Sequence, residues 1–144
     1  MSGDSINKLL LNASLGDKDS QYLLGKMFEL GNTVDQSFEA AIFWYILASD
    51  SGSNIAKYEI ARFYECGLGV NESMTTAIRW YQESAESGNV DSQLKIGEMY
   101  ERGDGVEQSL EEAALWYRKA AENGNATAQL NLGYLFEWGK GVEQ

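Results

Sequence analysis

The sequence has no histidine and no proline, and its only cysteine is Cys66. Without histidine the chain lacks the usual general base, the commonest metal ligand and the usual pH switch. No Ser-His-Asp or Cys-His set can be assembled. No catalytic residue, metal or cofactor is therefore expected, and the chain reads as a non-enzyme. One cysteine excludes an internal disulfide. It fits a reducing compartment and favours a cytoplasmic location, with a periplasmic or secreted one open if the N-terminus has been trimmed. The lack of proline leaves nothing to interrupt a helix. No apolar run approaches the roughly 20 residues of a membrane span, so no membrane insertion is expected. Positive charge is scarce: 11 Lys and Arg against 22 Asp and Glu give a net charge of −11. Such acidity argues against nucleic acid and anionic lipid and favours a basic partner.

What the chain has in abundance is repetition. Gly25, Ala61, Gly97 and Gly133 share a period of 36, as do Gly31, Gly67, Gly103 and Gly139 and the valines 34, 70, 106 and 142. Trp44-Tyr45, Trp80-Tyr81 and Trp116-Tyr117 keep the same period, and Gly52, Gly88 and Gly124 close each unit. A fixed period of this length marks a repeat array.

Each unit reads as two helices. In the third, helix A covers about 91–102, with Leu94, Ile96, Met99 and Tyr100 as its apolar stripe. Gly103 and Gly105 stop it. Helix B runs from about 109 to 123, with Ser109 and Glu112 placed for a capping box. Ala113, Trp116, Tyr117 and Ala120 share one face. Small residues let the two helices approach, and the Trp and Tyr are expected to fill the space over the next unit. One helix pair cannot bury its apolar face alone, so stacking must supply the core.

These residues carry a resemblance. The run Ala128-Gln129-Leu130-Asn131-Leu132-Gly133-Tyr134-Leu135-Phe136 and the run from Ala113 to Asn125 are similar to Sel-1-like repeats, a branch of the tetratricopeptide superfamily. The resemblance implies an all-α, α/α solenoid, a right-handed superhelix of 36-residue helix-turn-helix repeats. The whole chain, 1–144, reads as one such domain. Residues 5–18 form an N-terminal capping helix, 19–54, 55–90 and 91–126 full repeats, and 127–144 an incomplete one. The first repeat departs from the pattern: Gly31-Asn32-Thr33-Val34 lacks the second glycine. The end of the chain leaves the last helix A without its pair. Either the chain is shortened or a partner, including a second copy through this open repeat, covers Leu132, Leu135 and Phe136.

The resemblance also implies that A helices line a concave face. Three columns there refuse to repeat: Leu23, Glu59, Lys95 and Asn131; Lys26, Arg62, Glu98 and Tyr134; Leu30, Cys66, Arg102 and Trp138. Within a unit they lie at i, i+3 and i+7, on one helical face. A buried column could not change this freely. Partner binding is therefore expected at Leu23, Lys26, Leu30, Glu59, Arg62, Lys95, Glu98, Arg102, Asn131, Tyr134 and Trp138. Beside them stand Glu29, Glu65, Glu101 and Glu137, either an acidic ladder for a basic peptide or part of the scaffold. A second candidate patch is Phe43, Ile46 and Leu47 on helix B of the first repeat, with Leu10 and Leu11 of the capping helix as its expected cover.

The expected function is that of a protein–protein interaction scaffold or adaptor. Two alternatives come from other classes. One is a weak hydrolase of the β-lactamase-like type ascribed to some relatives; those carry a disulfide in every repeat, which one cysteine excludes here. The other is a purely structural segment of a larger assembly.

Overall fold

The computed structural model describes residues 2–137. Among the described residues eight helices follow one another: α1 Gly3–Ser14, α2 Lys18–Leu30, α3 Phe38–Asp50, α4 Asn54–Cys66, α5 Met74–Glu86, α6 Val90–Arg102, α7 Leu110–Glu122 and α8 Ala126–Glu137. No strand occurs among the described residues. The chain divides into two compact units, Met1–Glu72 with α1–α4 and Ser73–Gln144 with α5–α8. Helices α2, α4, α6 and α8 are the A helices of the repeat; α1, α3, α5 and α7 stand in the B position.

The helix ends follow from the sequence. Asp17, Ser37, Ser53, Ser73, Asn89 and Ser109 each accept the backbone N–H three residues on, which satisfies one orphan donor of the first turn. Helix α6 ends at Gly103 with φ 78°, and α2 at Gly31 with φ 66°, left-handed conformations that cost glycine nothing. The capping box expected at Ser109 is one-sided. Its Oγ accepts from Glu112 N at 3.2 Å, but its own N–H is already given to Tyr100 O at 2.9 Å. Ser37 does the same with Phe28 O at 2.9 Å. The tie fixes the starts of α3 and α7 onto the A helix before each.

In the first unit Leu9, Ala13, Leu24 and Met27 form a core cluster, with Ile6, Val34 and Trp44 packed on it. The fully buried Tyr45 ring stands edge-on to Phe63 of α4 at 5.5 Å. Trp44 and Tyr45 therefore part company. Tyr45 reaches forward to the next A helix, as expected, whereas Trp44 turns back to the α1–α2 cluster. Successive helical residues point about 100° apart, so both cannot face one neighbour.

In the second unit Ala113, Ala114, Tyr117, Ala120, Ala128 and Leu135 form the core, with Val90, Leu94, Tyr100 and Leu132 against it. Leu135 thus finds cover inside the chain, and Leu132 packs on the same cluster; Phe136 is half-buried. The notch for Tyr45 and for Tyr117 is a glycine. A Cβ on Gly25 would sit 2.5 Å from the Tyr45 ring, and one on Gly97 2.5 Å from Tyr117.

Candidate functional site

The varied columns of the first unit are brought together by α2 and α4. Lys26 Nζ lies 2.6 Å from Glu59 and 3.3 Å from Glu29. Arg62 donates Nε to Glu59 at 3.0 Å and pairs through Nη2 with both Glu29 and Glu59. Tyr45 Oη donates to Glu29 at 2.5 Å, and Tyr22 Oη to Glu59 at 3.3 Å. Two acids, two bases and two phenols close one network across α2, α3 and α4.

The charges are stabilised where they stand. Burial works to raise the Glu29 pKa, but the Tyr45 hydrogen bond and the Arg62 and Lys26 charges outweigh it and hold the carboxyl below its usual range. Burial works to lower Lys26, and its bond to Glu59 with the two carboxylate charges lifts it above the usual range instead. Burial, then the bond to Glu29, pushes Tyr45 far up, so it remains a donor. Glu59 is only 5% exposed. A carboxylate so buried is tolerable because two cations and a phenol hold it. It is the member of the candidate set that solvent barely reaches. Leu23 and Leu30 flank the network and are exposed, at 42% and 59%.

The second unit repeats the frame with other residues. Tyr117 Oη donates to Glu101 at 2.5 Å, the counterpart of Tyr45 and Glu29. Burial, then this bond, raises the phenol well above its usual range; the Glu98 charge adds to the shift, and a hydrogen bond from Asn131 opposes it. Glu98, Glu101 and Asn131 thus gather round one phenol, where the first unit has Lys26, Glu29 and Glu59. Tyr134 stands in the Arg62 column and is 52% exposed. Lys95 and Glu98 are half-buried and Arg102 is exposed. Trp138 lies outside the described residues.

Two points were hidden in the sequence. The acidic column is scaffold at Glu29 and Glu101, because each accepts the buried tyrosine sixteen residues on. The signal was available: the Glu and Tyr columns hold together at constant spacing. The second is Tyr22, whose bond to Glu59 crosses repeats and has no local mark.

On α3, Phe43 and Ile46 are exposed and Leu47 is half-buried. Leu10 and Leu11 do not cover them; both are exposed themselves, because α1 packs through Leu9 and Ala13. Among the described residues no group of three His, Cys, Asp or Glu side chains is placed to hold a metal. No described helix is long and apolar enough to cross a membrane. A shallow open hollow beside the end of α4 is lined by Glu39, Gly67, Gly69, Val70 and Asn71.

With this geometry in view, the comparisons with known proteins fall into place. The Sel1 repeat pattern matches residues 18–53, 54–89, 90–125 and 126–144. No curated protein sequence matches the chain. Among solved structures, a protective antigen present in uropathogenic Escherichia coli strains and displaying an SLR fold is 33% identical, with a TM-score of 0.90 over 94% of this chain and 29% of its own. A Sel1 repeat protein from Oxalobacter formigenes is 29% identical, with a TM-score of 0.91 over 97% of this chain and 58% of its own. The chain thus spans less than two thirds of either protein. Helicobacter pylori cysteine rich protein B shares the fold alone, at 20% identity and a TM-score of 0.69 over 90% of this chain and 98% of its own.

Proposed function

The chain belongs to the Sel1 repeat family, and from that premise we propose that it is a protein-interaction scaffold whose A helices carry the recognition residues. Repeats of this family generally mediate protein interactions and are generally not enzymes. One observation carries the reading to particular residues. Columns that are buried hold their chemistry from repeat to repeat, as with Ala41, Ala77 and Ala113 or Tyr45, Tyr81 and Tyr117. Among the described residues, the columns on the A helices that change most are, apart from Glu59, half-buried or exposed. Packing therefore leaves them free to change.

Each unit offers a different contact. In the first, the charges are spent on one another, and Leu23 and Leu30 stand exposed on either side of Lys26. That suits an apolar stretch of a partner. In the second, Glu98 and Glu101 lie on the same helix as Lys95, and Tyr134 offers an exposed ring on α8. That suits a basic segment, with an Arg or Lys over the tyrosine. The net charge of −11 would steer such a partner in.

The test is capture by crosslinking from a host lysate, comparing the wild type with a Lys95→Ala/Glu98→Ala/Tyr134→Ala variant. None of the three is fully buried, so helicity should be kept. Specific captured proteins should be lost with the variant. An identical captured set, at unchanged circular dichroism, would sink the assignment of these helices as the recognition surface.

A further inference from the structure

We propose that the outer face of α3, together with the neighbouring residues of α1, is a second docking surface, shaped for a cationic amphipathic helix. The face belongs to the B helices and shares no residue with the A-helix reading above. On α3 the residues Glu39, Phe43, Ile46, Leu47 and Asp50 fall at i, i+4, i+7, i+8 and i+11, which is one stripe. Phe43 is 56% exposed and lies edge-on to Trp44 at 5.5 Å. Leu10 and Leu11 stand one period earlier in the columns of Ile46 and Leu47 and are also exposed. Trp44 packs against the cluster that α1 and α2 share through Leu9, Ala13, Leu24 and Met27.

The fold does not demand this patch. In the same columns α5 carries Arg79, Gln82 and Glu83, and α7 carries Leu115, Arg118 and Lys119. Both form full helices. Scattered exposed apolar residues are ordinary, but exposed Phe43 and Ile46 beside half-buried Leu47, with Leu10 and Leu11 exposed in the same columns of α1, mark a contact site.

Charge names the occupant. The apolar stripe ends in Glu39 on one side and Asp50 on the other, about 16 Å apart at 1.5 Å per residue. Both are exposed, and α3 has no Lys or Arg. On α1 the nearest base, Lys8, stands in the Trp44 column and outside the stripe. The complement is a helix with an apolar stripe of about two turns and a Lys or Arg beyond each end. A second copy packed antiparallel on this face would set Glu39 against Asp50, a like-charge contact, and an anionic lipid surface would meet the same acids.

The probe is a fluorescein-labelled synthetic peptide of about 18 leucines and lysines, a length near five turns, with lysines beyond both ends of one leucine stripe. Binding to the full chain is followed by anisotropy. Controls are a scrambled peptide of equal composition and one with Glu for Lys. Replacing the patch by the α5 residues, Phe43→Arg/Ile46→Gln/Leu47→Glu, should weaken the lysine peptide at least about tenfold. Glu39→Gln/Asp50→Asn, which leaves the apolar side chains alone, should weaken it about threefold to tenfold and flatten its salt dependence. On a Lys95→Ala/Glu98→Ala/Tyr134→Ala background the same patch replacement should weaken the peptide by the same factor, which separates this surface from the A-helix one. Equal binding of the scrambled or acidic peptide, or no loss in the triple replacement, would overturn the proposal. So would a wild-type dimer in sedimentation that the triple replacement makes monomeric, or anionic vesicles bound only by the wild type.

Discussion

The first unit, α1–α4, and the second, α5–α8, place the same four kinds of helix in the same order, two repeats apart. Their frames agree closely. Each has a glycine notch for a tyrosine, Gly25 for Tyr45 and Gly97 for Tyr117, and each tyrosine donates at 2.5 Å to the glutamate sixteen residues before it. Their faces do not agree. Lys26, Glu59 and Arg62 become Glu98, Asn131 and Tyr134, so an ion-pair network becomes an acidic cluster beside an exposed ring. Phe43, Ile46 and Leu47 become Leu115, Arg118 and Lys119, and the lysine covers Trp116 at 4.0 Å where Phe43 meets Trp44. One frame therefore supports two surfaces, and stability and recognition lie on different residues.

If the frames are equivalent, breaking either should cost the same. A Cβ on Gly69 would lie 2.6 Å from the Phe38 backbone, and one on Gly105 2.7 Å from that of Met74, at φ 64° and 71°. Backbone cannot step aside as a side chain can. Gly69→Ala and Gly105→Ala should each cost about 3 kcal/mol, combining a strained backbone with a clash. Urea denaturation read by far-ultraviolet circular dichroism measures both. A difference above about 1 kcal/mol would show that the frames are not equivalent.

The next substitution should separate the units. Glu29 accepts from Tyr45 and Arg62 and pairs with Lys26, so Glu29→Gln leaves part-buried charge short of a partner. A loss of about 3 kcal/mol is expected. Glu101→Gln removes a bond to one phenol and should cost about 1 kcal/mol. Equal losses would mean that the network around Glu29 adds nothing to the tyrosine bond.

The same network sets a pH dependence. A carboxyl whose pKa is lower folded than unfolded binds fewer protons in the folded state. Glu29 is such a group. Its contribution is complete above the unfolded value of about 4.3 and drains away as pH falls through the lowered folded value. Lys26, raised in the fold, contributes fully below its unfolded value of about 10.4 and loses this as pH rises further. Stability of the wild type should therefore fall more steeply below pH ~4.3 than that of Glu29→Gln. Parallel curves would remove Glu29 from the acid response.

How much of this could be read from the sequence depends on whether a constraint is local. Helix ends were legible because Ser109 and Gly103 act within four residues. The core tyrosines were legible because they recur. The split between Trp44 and Tyr45 was not, since both are large and the period treats them alike; only packing decides which faces back. The burial of Glu59 was hidden for a stronger reason. Its column reads Leu, Glu, Lys, Asn and looks like surface, and only the approach of Lys26 and Arg62 makes burial bearable. The exposure of Leu10 and Leu11 was missed because an apolar pair near an apolar patch suggests mutual cover, while α1 presents Leu9 and Ala13 instead.

The smallest expected effect tests the finest difference between the frames. Gln93 and Gln21 each reach back eight residues to a B-helix carbonyl, Ala85 at 3.2 Å and Ala13 at 3.0 Å. In the second unit the other end of the amide is also used: Asn123 Nδ2 donates to Gln93 Oε1 at 3.3 Å. In the first, Ser51 stands in the Asn123 column, too short to reach, and Gln21 Oε1 is buried without a partner. An orphaned buried acceptor loses hydration that nothing replaces. Ser51→Asn should therefore stabilise the first unit by about 0.5–1 kcal/mol, and Asn123→Ser should weaken the second by a similar amount. Both positions end their helices with φ near −85°, so the backbone accepts either residue. Hydrogen exchange on α2 and α6 gives the readout unit by unit. Loss at Asn123 without gain at Ser51 would mean that Gln21 Oε1 already holds a water; no change at either would mean that the 3.3 Å contact carries no stability and that the two frames are closer than their side chains suggest.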